Sequence, residues 1–246
     1  MAAGLRDALG AYTILLRDFF ADDLTGIYLY GSVVYDAFDP RVSDLDVTVL
    51  HRTDLNEERT RGLAGTHERF GRGLPAAGRL DVSFVPLRLV GGYGEDSLPY
   101  YRDGHFCRSG GGDVNPVMWR TLRGCGMAVC GPPTAEIVPP VSDEELAENM
   151  RRNLDFLRLQ MPLYVMTGTG ETVFGVLSLC RVLYTLRTGE LIGKVEAGRW
   201  ALHRLHSRWQ PLIQRAITRC ETNDLSGGDA LLEEAEAFAA YARALP

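Results

Sequence analysis

The first half of the chain alternates between helical and strand-like hydrophobic patterns. Apolar residues recur at helical spacing over residues 3–20 and predict an amphipathic helix. Residues 91–116 show little periodicity and are rich in Gly, Tyr and Arg, which indicates a long loop region beside a functional site. The other predicted elements are strands at about 27–31, 45–50, 80–87 and 127–130, the last an edge strand, and helices within 56–70 and at 116–125.

The pattern becomes wholly helical after Pro139-Pro140. Ser142 with Glu145 three residues later is a capping-box signature, and it predicts a helix that runs to about residue 160. Further helices are predicted at about 171–187, 194–205, 208–221 and 228–244. We therefore expect an α+β protein with a mixed sheet and helices in a first domain, 1–141, and an α-helical bundle in a second, 142–246.

Two acids and a Gly-Ser turn form the most informative local pattern. Gly31-Ser32 follows a strand-like run, and Asp44-Leu45-Asp46 leads into another. Side chains alternate along a strand, so Asp44 and Asp46 share a face, about 7 Å apart. Their carboxylates repel each other unless a cation lies between them, and Mg²⁺ prefers such oxygen ligands together with substrate phosphates. Backbone N–H groups of the turn and the Ser32 hydroxyl are suited to bind those phosphates.

The composition narrows the classes of function. With 246 residues, 46% of them hydrophobic and 24% charged, the chain is typical of a soluble globular protein with an ample core. A net charge of −6 argues against broad nucleic-acid binding and suits a cationic substrate. The five cysteines match no familiar zinc pattern and favour reduced thiols. Neither a signal peptide nor a membrane span is evident, so we expect a cytoplasmic protein.

The strand, the Gly-Ser turn and the Asp-x-Asp pair together resemble the nucleotidyltransferase superfamily of the DNA polymerase β type. In that superfamily a third acid lies on a neighbouring strand, and Asp81 lies where the resemblance requires it. The resemblance implies Mg²⁺, as two ions held by Asp44, Asp46 and Asp81. Nucleotidyl transfer needs cations that neutralise the phosphates, and a carboxylate can accept the proton of the attacking hydroxyl. Asp81 is therefore expected to be third ligand, general base, or both.

The second half is similar to the C-terminal helical domain of aminoglycoside nucleotidyltransferases, specifically the streptomycin/spectinomycin 3''-(9)-adenylyltransferase group. The resemblance implies transfer of AMP from ATP to a hydroxyl of such an antibiotic, which confers resistance, with the helical domain closing the cleft. The motifs that carry it are Val129-x-Gly131-Pro132, Arg181-Val182-Leu183-Tyr184, Thr188-Gly189-Glu190, Lys194 and Ala197-x-x-Trp200-Ala201.

The resemblance also implies which residues bind the nucleotide and the acceptor. The nucleotide is assigned to Gly31, Ser32, Ser43, Arg181 and Lys194, and Lys194 is the only lysine in the sequence. The acceptor is assigned to Glu171, Phe174 and, from the loop region, Tyr101.

The match to the group loosens at four positions, one of which is Cys220, where the group carries a tyrosine that contacts the nucleotide. Glu171 stands where streptomycin binders carry aspartate, and Phe174 where histidine or asparagine is common. Asp81 is one methylene shorter than the glutamate of characterised members. The acceptor is therefore left open at this point.

Other interpretations of the sequence remain open. One is a nucleotidyltransferase that acts on another small molecule, or on a protein or RNA in a regulatory or toxin–antitoxin setting. Arg199 and His206 fit the spacing of a ribonuclease motif found in a related helical fold. A catalytically dead nucleotide sensor is disfavoured, because a sensor needs no base and the three acids are intact. We expect a monomer that binds ATP and a polyhydroxylated cation, and neither nucleic acid nor membrane.

Overall fold

The structure is a computed structural model that describes residues 3–35, 37–39, 43–73, 75–93, 98–110, 113–226 and 234–245. The chain divides into two compact units, Met1–Val141 and Ser142–Pro246. Among the helices in these ranges, none combines the length and the apolar character needed to cross a membrane.

The first unit is built on a mixed sheet of six strands in the order β5-β4-β3-β2-β1-β6. β2 and β3 are parallel, and the other neighbouring strands are antiparallel. The mixed sheet with helices confirms the predicted α+β class. Its elements are α1 (Ala3–Phe20), β1 (Leu24–Tyr30), β2 (Leu45–His51), α2 (Glu57–Gly73), β3 (Leu80–Pro86), β4 (Tyr100–Arg102), β5 (His105–Cys107), α3 (Pro116–Cys125), β6 (Met127–Cys130) and α4 (Thr134–Ile137).

Strand alternation divides the buried side chains of the sheet between two faces. One face packs with α1 and α2, and its strand residues include Ile27, Leu29, Val47, Val49, Val82 and Phe84. The opposite face packs with α3, and its strand residues include Tyr28, Tyr30, Leu50 and Val85. Asp46 and Asp81 alternate with the residues of the first face. Both acids therefore project from the face that α3 covers.

A buried histidine joins α2 to α1 on the first face. His67 Nδ1 lies 2.8 Å from the carbonyl oxygen of Leu63, and Nε2 lies 2.6 Å from the hydroxyl of Tyr12. Because a carbonyl only accepts, Nδ1 carries the proton and Nε2 accepts from Tyr12. The ring also contacts Tyr101 and Phe106. Burial lowers the pKa of His67 to about 4, so the ring is neutral at physiological pH.

β4 and β5 form a hairpin that the hydrophobic pattern did not predict. The strands are three residues each, too short to show alternation, and they lie in the stretch expected to be a long loop. Asp103 and Gly104 connect them with φ of +52° and +78°, and Arg102 pairs with His105. Positive φ at both positions is typical of a two-residue type I′ turn, which favours Asp-Gly. That dipeptide is the local signal that locates the hairpin.

The second unit is helical. Its helices are α5 (Asp143–Thr167), α6 (Thr169–Thr188), α7 (Lys194–Arg204), α8 (Gln210–Thr222) and α9 (Ala235–Arg243). The capping box is confirmed, since Glu145 N–H donates to Ser142 Oγ at 3.2 Å and Ser142 N–H donates to the Glu145 carboxylate at 2.8 Å. α5 continues through Pro162, past the end predicted near residue 160. The predicted start of the last helix, at residue 228, lies outside the described residues.

Candidate functional site

Neighbouring strands bring acidic side chains together on the face that α3 covers. The register pairs Tyr30 with Asp46, and Asp46 with Asp81, so their side chains are adjacent. Asp113, from the segment that precedes α3, completes what we call the acid row: Asp46, Asp81 and Asp113. One carboxylate oxygen of each lies within 4.8 Å of the other two. Carboxylates this close repel one another strongly unless a cation or a proton offsets their charge.

Asp113 is a member of the acid row that the sequence did not single out. The nearby local signal is Asn115 followed by Pro116, an N-cap residue with proline at the first helical position. Asn115 Oδ1 accepts from the N–H groups of Val117 and Met118 at 2.9 and 3.1 Å. The cap determines where α3 begins, and Asp113 lies two residues before it. Only the packing of α3 on the sheet brings that residue to the other acids.

The Gly31-Ser32 turn lies directly against the acid row. Gly31 has φ of +70°, which disfavours any residue with a Cβ, and an added Cβ would lie 2.6 Å from Asp46 Cγ. The turn continues as one 3-10 turn over Gly31–Val34. The carbonyl oxygen of Ser32 accepts from the N–H groups of Tyr35 and Ala37 at 3.4 and 3.2 Å. The structure thus brings three predicted residues, Gly31, Ser32 and Asp46, to one place.

An arginine from the hairpin bonds two members of the acid row. Arg102 Nε donates to Asp81 Oδ2 at 2.6 Å, and its Nη2 donates to Asp113 Oδ2 at 2.8 Å. Burial raises the pKa of Asp81 to about 6, although the hydrogen bond from Arg102 lowers it. The charges of Asp113 and Asp44 add to the rise. A buried carboxylate among other acids is therefore held ionised chiefly by a cation beside it.

Two buried polar atoms at the acid row have no hydrogen-bond partner within the described part of the chain. They are Asp81 Oδ1 and the hydroxyl of Tyr30. Burial raises the pKa of the Tyr30 hydroxyl, and the charges of the acid row raise it further, so the hydroxyl keeps its proton. Unsatisfied buried polar atoms are rare in proteins unless an ion, a water or a ligand satisfies them. Carboxylate oxygens with such neighbours fit a hydrated Mg²⁺, which takes one or two carboxylates and keeps several waters.

Asp44 and Ser43 lie just before β2. Asp44 is exposed and lies outside the acid row of Asp46, Asp81 and Asp113, although its charge acts on Asp81. The hydroxyl of Ser43 accepts from the N–H of Asp39 at 3.0 Å, and Arg79 donates to the carbonyl oxygen of Ser43. These bonds fasten the segment that leads into β2. The roles of Asp44 in metal binding and of Ser43 in nucleotide binding stay predictions.

Tyr101 lies on the other face of the sheet from the acid row. It pairs with Val82, is fully buried, and packs with its ring centroid 4.8 Å from that of His67. This position differs from the open one expected of a side chain that contacts an acceptor. Strand alternation is the reason, because it directs the neighbours Tyr100 and Arg102 to the acid-row face instead. Their side chains contact each other, with Arg102 Cζ 5.6 Å from the ring centroid of Tyr100.

The predicted residues of the helical unit include one close pair. Lys194 Nζ, in the first turn of α7, lies 4.4 Å from the ring centroid of Phe174 on α6, within range of a cation–π interaction. Glu171 is exposed in the first turn of α6, and Arg181 is half-buried further along the same helix. The roles of these four residues in binding stay predictions.

Comparison with known proteins identifies relatives of both halves. Residues 136–244 match the family model described as the C-terminal domain of aminoglycoside adenylyltransferase. Spectinomycin 9-adenylyltransferase of Campylobacter jejuni is 23% identical over 208 residues, 78% of this chain and 76% of that protein. Aminoglycoside (3'') (9) adenylyltransferase of Rhizobium radiobacter is 31% identical over 100 residues, 41% of this chain and 35% of that protein.

The fold also has a counterpart among solved structures. Spectinomycin adenyltransferase AAD(9) from Enterococcus faecialis, solved with ATP and spectinomycin, superposes with a TM-score of 0.76. The match covers 97% of both chains at 16% identity. A likeness at that identity shows the fold, and it extends over both units of this chain.

Proposed function

We propose that this chain transfers AMP from ATP to an antibiotic hydroxyl. It is a nucleotidyltransferase, and its relatives and its fold confirm its likeness to the aminoglycoside adenylyltransferase group. The transfer is Mg²⁺-dependent. The acceptor is an aminoglycoside or aminocyclitol of the spectinomycin or streptomycin type, and the modification gives resistance to it.

The acid row beside the Gly31-Ser32 turn is the observation that carries this proposal. Three carboxylate oxygens within 4.8 Å of one another are suited to hold a divalent cation. The Gly31-Ser32 turn lies against one of them, and backbone N–H groups of such turns are suited to bind phosphates. Metal ligands next to phosphate donors are the requirement for phosphoryl and nucleotidyl transfer.

The transfer step assigns a task to each acid. The acceptor hydroxyl oxygen attacks the α-phosphorus of ATP and forms a new P–O bond, while the bond from that phosphorus to the bridging oxygen breaks. Pyrophosphate leaves with that bridging oxygen, and the hydroxyl proton passes to a carboxylate, for which Asp81 is the candidate. Asp46 and Asp113 would hold Mg²⁺, with Asp44 and Asp81 as further expected ligands. The metal would supply positive charge that stabilises the attacking and leaving oxygens.

The nucleotide requires more positive charge than metal ions alone supply. Lys194 and Arg181 are proposed to bind the triphosphate, as the likeness to the group implies, because charge-assisted hydrogen bonds to phosphate are strong. The contact with Phe174 supports the proposed role of Lys194, because the Phe174 ring holds the Lys194 ammonium group in place within the helical unit.

The acceptor is proposed from the relatives' names together with this chain's charge. A spectinomycin 9-adenylyltransferase covers most of this chain, and the relative solved with spectinomycin has the same fold. The net charge of −6 favours the approach of a cationic acceptor. Spectinomycin is therefore the first acceptor to test and streptomycin the second, with Glu171 and Phe174 as acceptor contacts.

A direct assay tests the proposal. The protein is incubated with ATP, Mg²⁺ and each of a panel of aminocyclitol and aminoglycoside antibiotics, and both pyrophosphate release and the mass of the antibiotic are measured. We expect release with at least one antibiotic, a mass gain of one AMP unit, and loss of both with a chelator. Asp46→Asn and Asp81→Asn should abolish turnover. Turnover that survives either substitution, or no turnover with any antibiotic, would contradict the proposal.

Asp103→Asn is the matched control for these substitutions. Asp103 is exposed in the turn of the β4–β5 hairpin, next to Arg102, and asparagine tolerates its φ of +52°. This variant loses the same acid chemistry within the same part of the fold but outside the acid row. We expect it to retain the rate of the unsubstituted enzyme within about twofold.

The ribonuclease alternative receives no support from the residues on which it depends. The Arg199 guanidinium pairs with the Glu221 carboxylate on the neighbouring helix. His206 Nδ1 accepts the N–H of Arg208 at 3.2 Å and caps a short 3-10 turn. These bonds give both residues structural roles, which account for their presence without a second active site.

A further inference from the structure

Arg102 lies where a bound cation would lie in the acid row. Its guanidinium bonds Asp81 from β3 and Asp113 from the segment before α3, at 2.6 and 2.8 Å. These are short, charge-assisted hydrogen bonds from two nitrogens of one rigid fork. One side chain thereby links acids from two separate elements, as a metal ion does when it bridges carboxylates.

The side chain of Arg102 has room to leave the acid row. It projects from the last residue of β4, next to the two-residue turn, and 37% of its surface is exposed. Asp81, by contrast, is 14% exposed and fixed in the middle of the sheet. A long side chain at the tip of a short hairpin can swing into solvent without moving the strands that carry Asp46 and Asp81.

We propose that Arg102 is the internal counter-ion of the acid row, and that its guanidinium must leave Asp81 and Asp113 before a divalent cation binds there. The inference rests on the proposed function in one respect, that the acid row takes a divalent cation. Arg102 and the metal compete for two reasons. They use carboxylates of the same residues, and two positive charges a few ångströms apart repel each other. Without metal, Arg102 reduces the mutual repulsion of the acids and keeps them in place.

Mn²⁺ binding to the full chain without nucleotide tests the proposal, with the free ion followed by its electron paramagnetic resonance signal. Arg102→Gln removes the competing charge and keeps a polar side chain of similar length. We expect it to bind Mn²⁺ about tenfold more tightly than the unsubstituted protein. Arg102→Lys keeps one charge and loses the fork, and should give an intermediate affinity.

Arg108→Gln is the matched control. Arg108 is exposed, one residue beyond β5 and outside the acid row. Its substitution removes the same charge from the same part of the unit. We expect its Mn²⁺ affinity to stay within about twofold of the unsubstituted protein, because exposed charges are screened by water and salt.

The proposal also predicts an effect on stability. Without metal, Arg102→Gln should lower the melting temperature, because the repulsion among the acids is no longer offset. Added Mg²⁺ should raise the melting temperature of this variant more than that of the unsubstituted protein.

Several results would overturn the proposal. Unchanged Mn²⁺ binding by Arg102→Gln would reject the competition, and weaker binding would make Arg102 a residue that positions Asp81 for the metal. Equal tightening in Arg102→Gln and Arg108→Gln would assign the effect to net charge. If Arg102→Gln does not fold, Arg102→Lys decides, since affinity equal to or below that of the unsubstituted protein rejects the competition.

The test is separate from that of the proposed function. Mn²⁺ binding that tightens in Arg102→Gln, in a protein with no adenylyl transfer to any acceptor, would reject the function and support the counter-ion. Normal transfer, together with an Mn²⁺ affinity that does not depend on Arg102, would support the function and reject the counter-ion.

Discussion

Replacing Gly31 by alanine tests the contact between the glycine turn and the acid row. An L-residue at φ of +70° is strained by about 1–2 kcal/mol relative to glycine. The added Cβ would also lie 2.6 Å from Asp46 Cγ. Comfortable carbon–carbon contacts begin at about 3.5 Å, and Asp46 Oδ2 lies closer still to the added Cβ, so the carboxylate must move by at least about 1 Å. A displacement of that size at a reacting group costs about 100-fold in rate, and we expect that loss in kcat.

Gly189→Ala provides the matched control for the backbone strain. Gly189 caps α6 in the same left-handed region, with φ of +76°, and no atom lies within 4 Å of an added Cβ. Alanine there should lower the free energy of unfolding by a similar 1–2 kcal/mol, about the cost of the left-handed backbone. The rate of AMP transfer should stay within about twofold, because no side chain near Gly189 has to move.

Urea unfolding and pyrophosphate release, measured on both variants, separate strain from displacement. Gly31→Ala should lose more stability than Gly189→Ala and also lose its activity, while the control loses stability alone. If Gly31→Ala kept the kcat of the unsubstituted enzyme, the close placement of Asp46 against the turn would be refuted. Equal stability losses without a loss of activity would lead to the same conclusion.

Three further predictions follow from other residues. The folded-state pKa of His67, near 4, lies below its unfolded value of about 6.5, so its share of stability is present above pH 6.5 and lost as the pH falls toward 4. That loss is about 3 kcal/mol and should largely disappear in His67→Phe, measured by urea unfolding across this pH range; an unchanged pH slope would contradict it. Ser142→Ala removes a capping box and should lower the free energy of unfolding by about 1 kcal/mol, whereas no change in the urea midpoint would reject the cap's contribution. Lys194→Ala should raise the KM for ATP about tenfold and Lys194→Arg less, and equal KM values would remove Lys194 from the nucleotide site.

The sequence predicted those parts of the site that depend on local chemistry. Asp46 was placed on a strand by the apolar residues around it, and Asp81 on a neighbouring strand by the family resemblance. The pairing of β2 with β3 then puts both acids on one face. Gly31 was identified by its place between a strand and the acid pair. Its positive φ is a property of the turn itself, which is why a local pattern was sufficient.

The remainder of the site depends on contacts between distant segments. Tyr101 was expected at the acceptor, but the register of β4 on β3 turns it into the core and turns Arg102 to the acids. Three-residue strands have no detectable period, so the face of each side chain is set by the pairing and not by the pattern. The Asp103-Gly104 dipeptide is a local signal of the hairpin, but the hairpin was not predicted from it.

The sequence by itself thus determined the order of the longer elements, the α+β class and the acids carried by long strands, because hydrophobic periods and turn chemistry act over a few residues. The tertiary structure decided that Asp113 joins Asp46 and Asp81, and that Arg102 bonds two of these acids. Asp113 reaches them because α3 packs on the sheet, and Arg102 because β4 pairs with β3. Electrostatic coupling depends on separation in space, which the separation along the chain does not reveal.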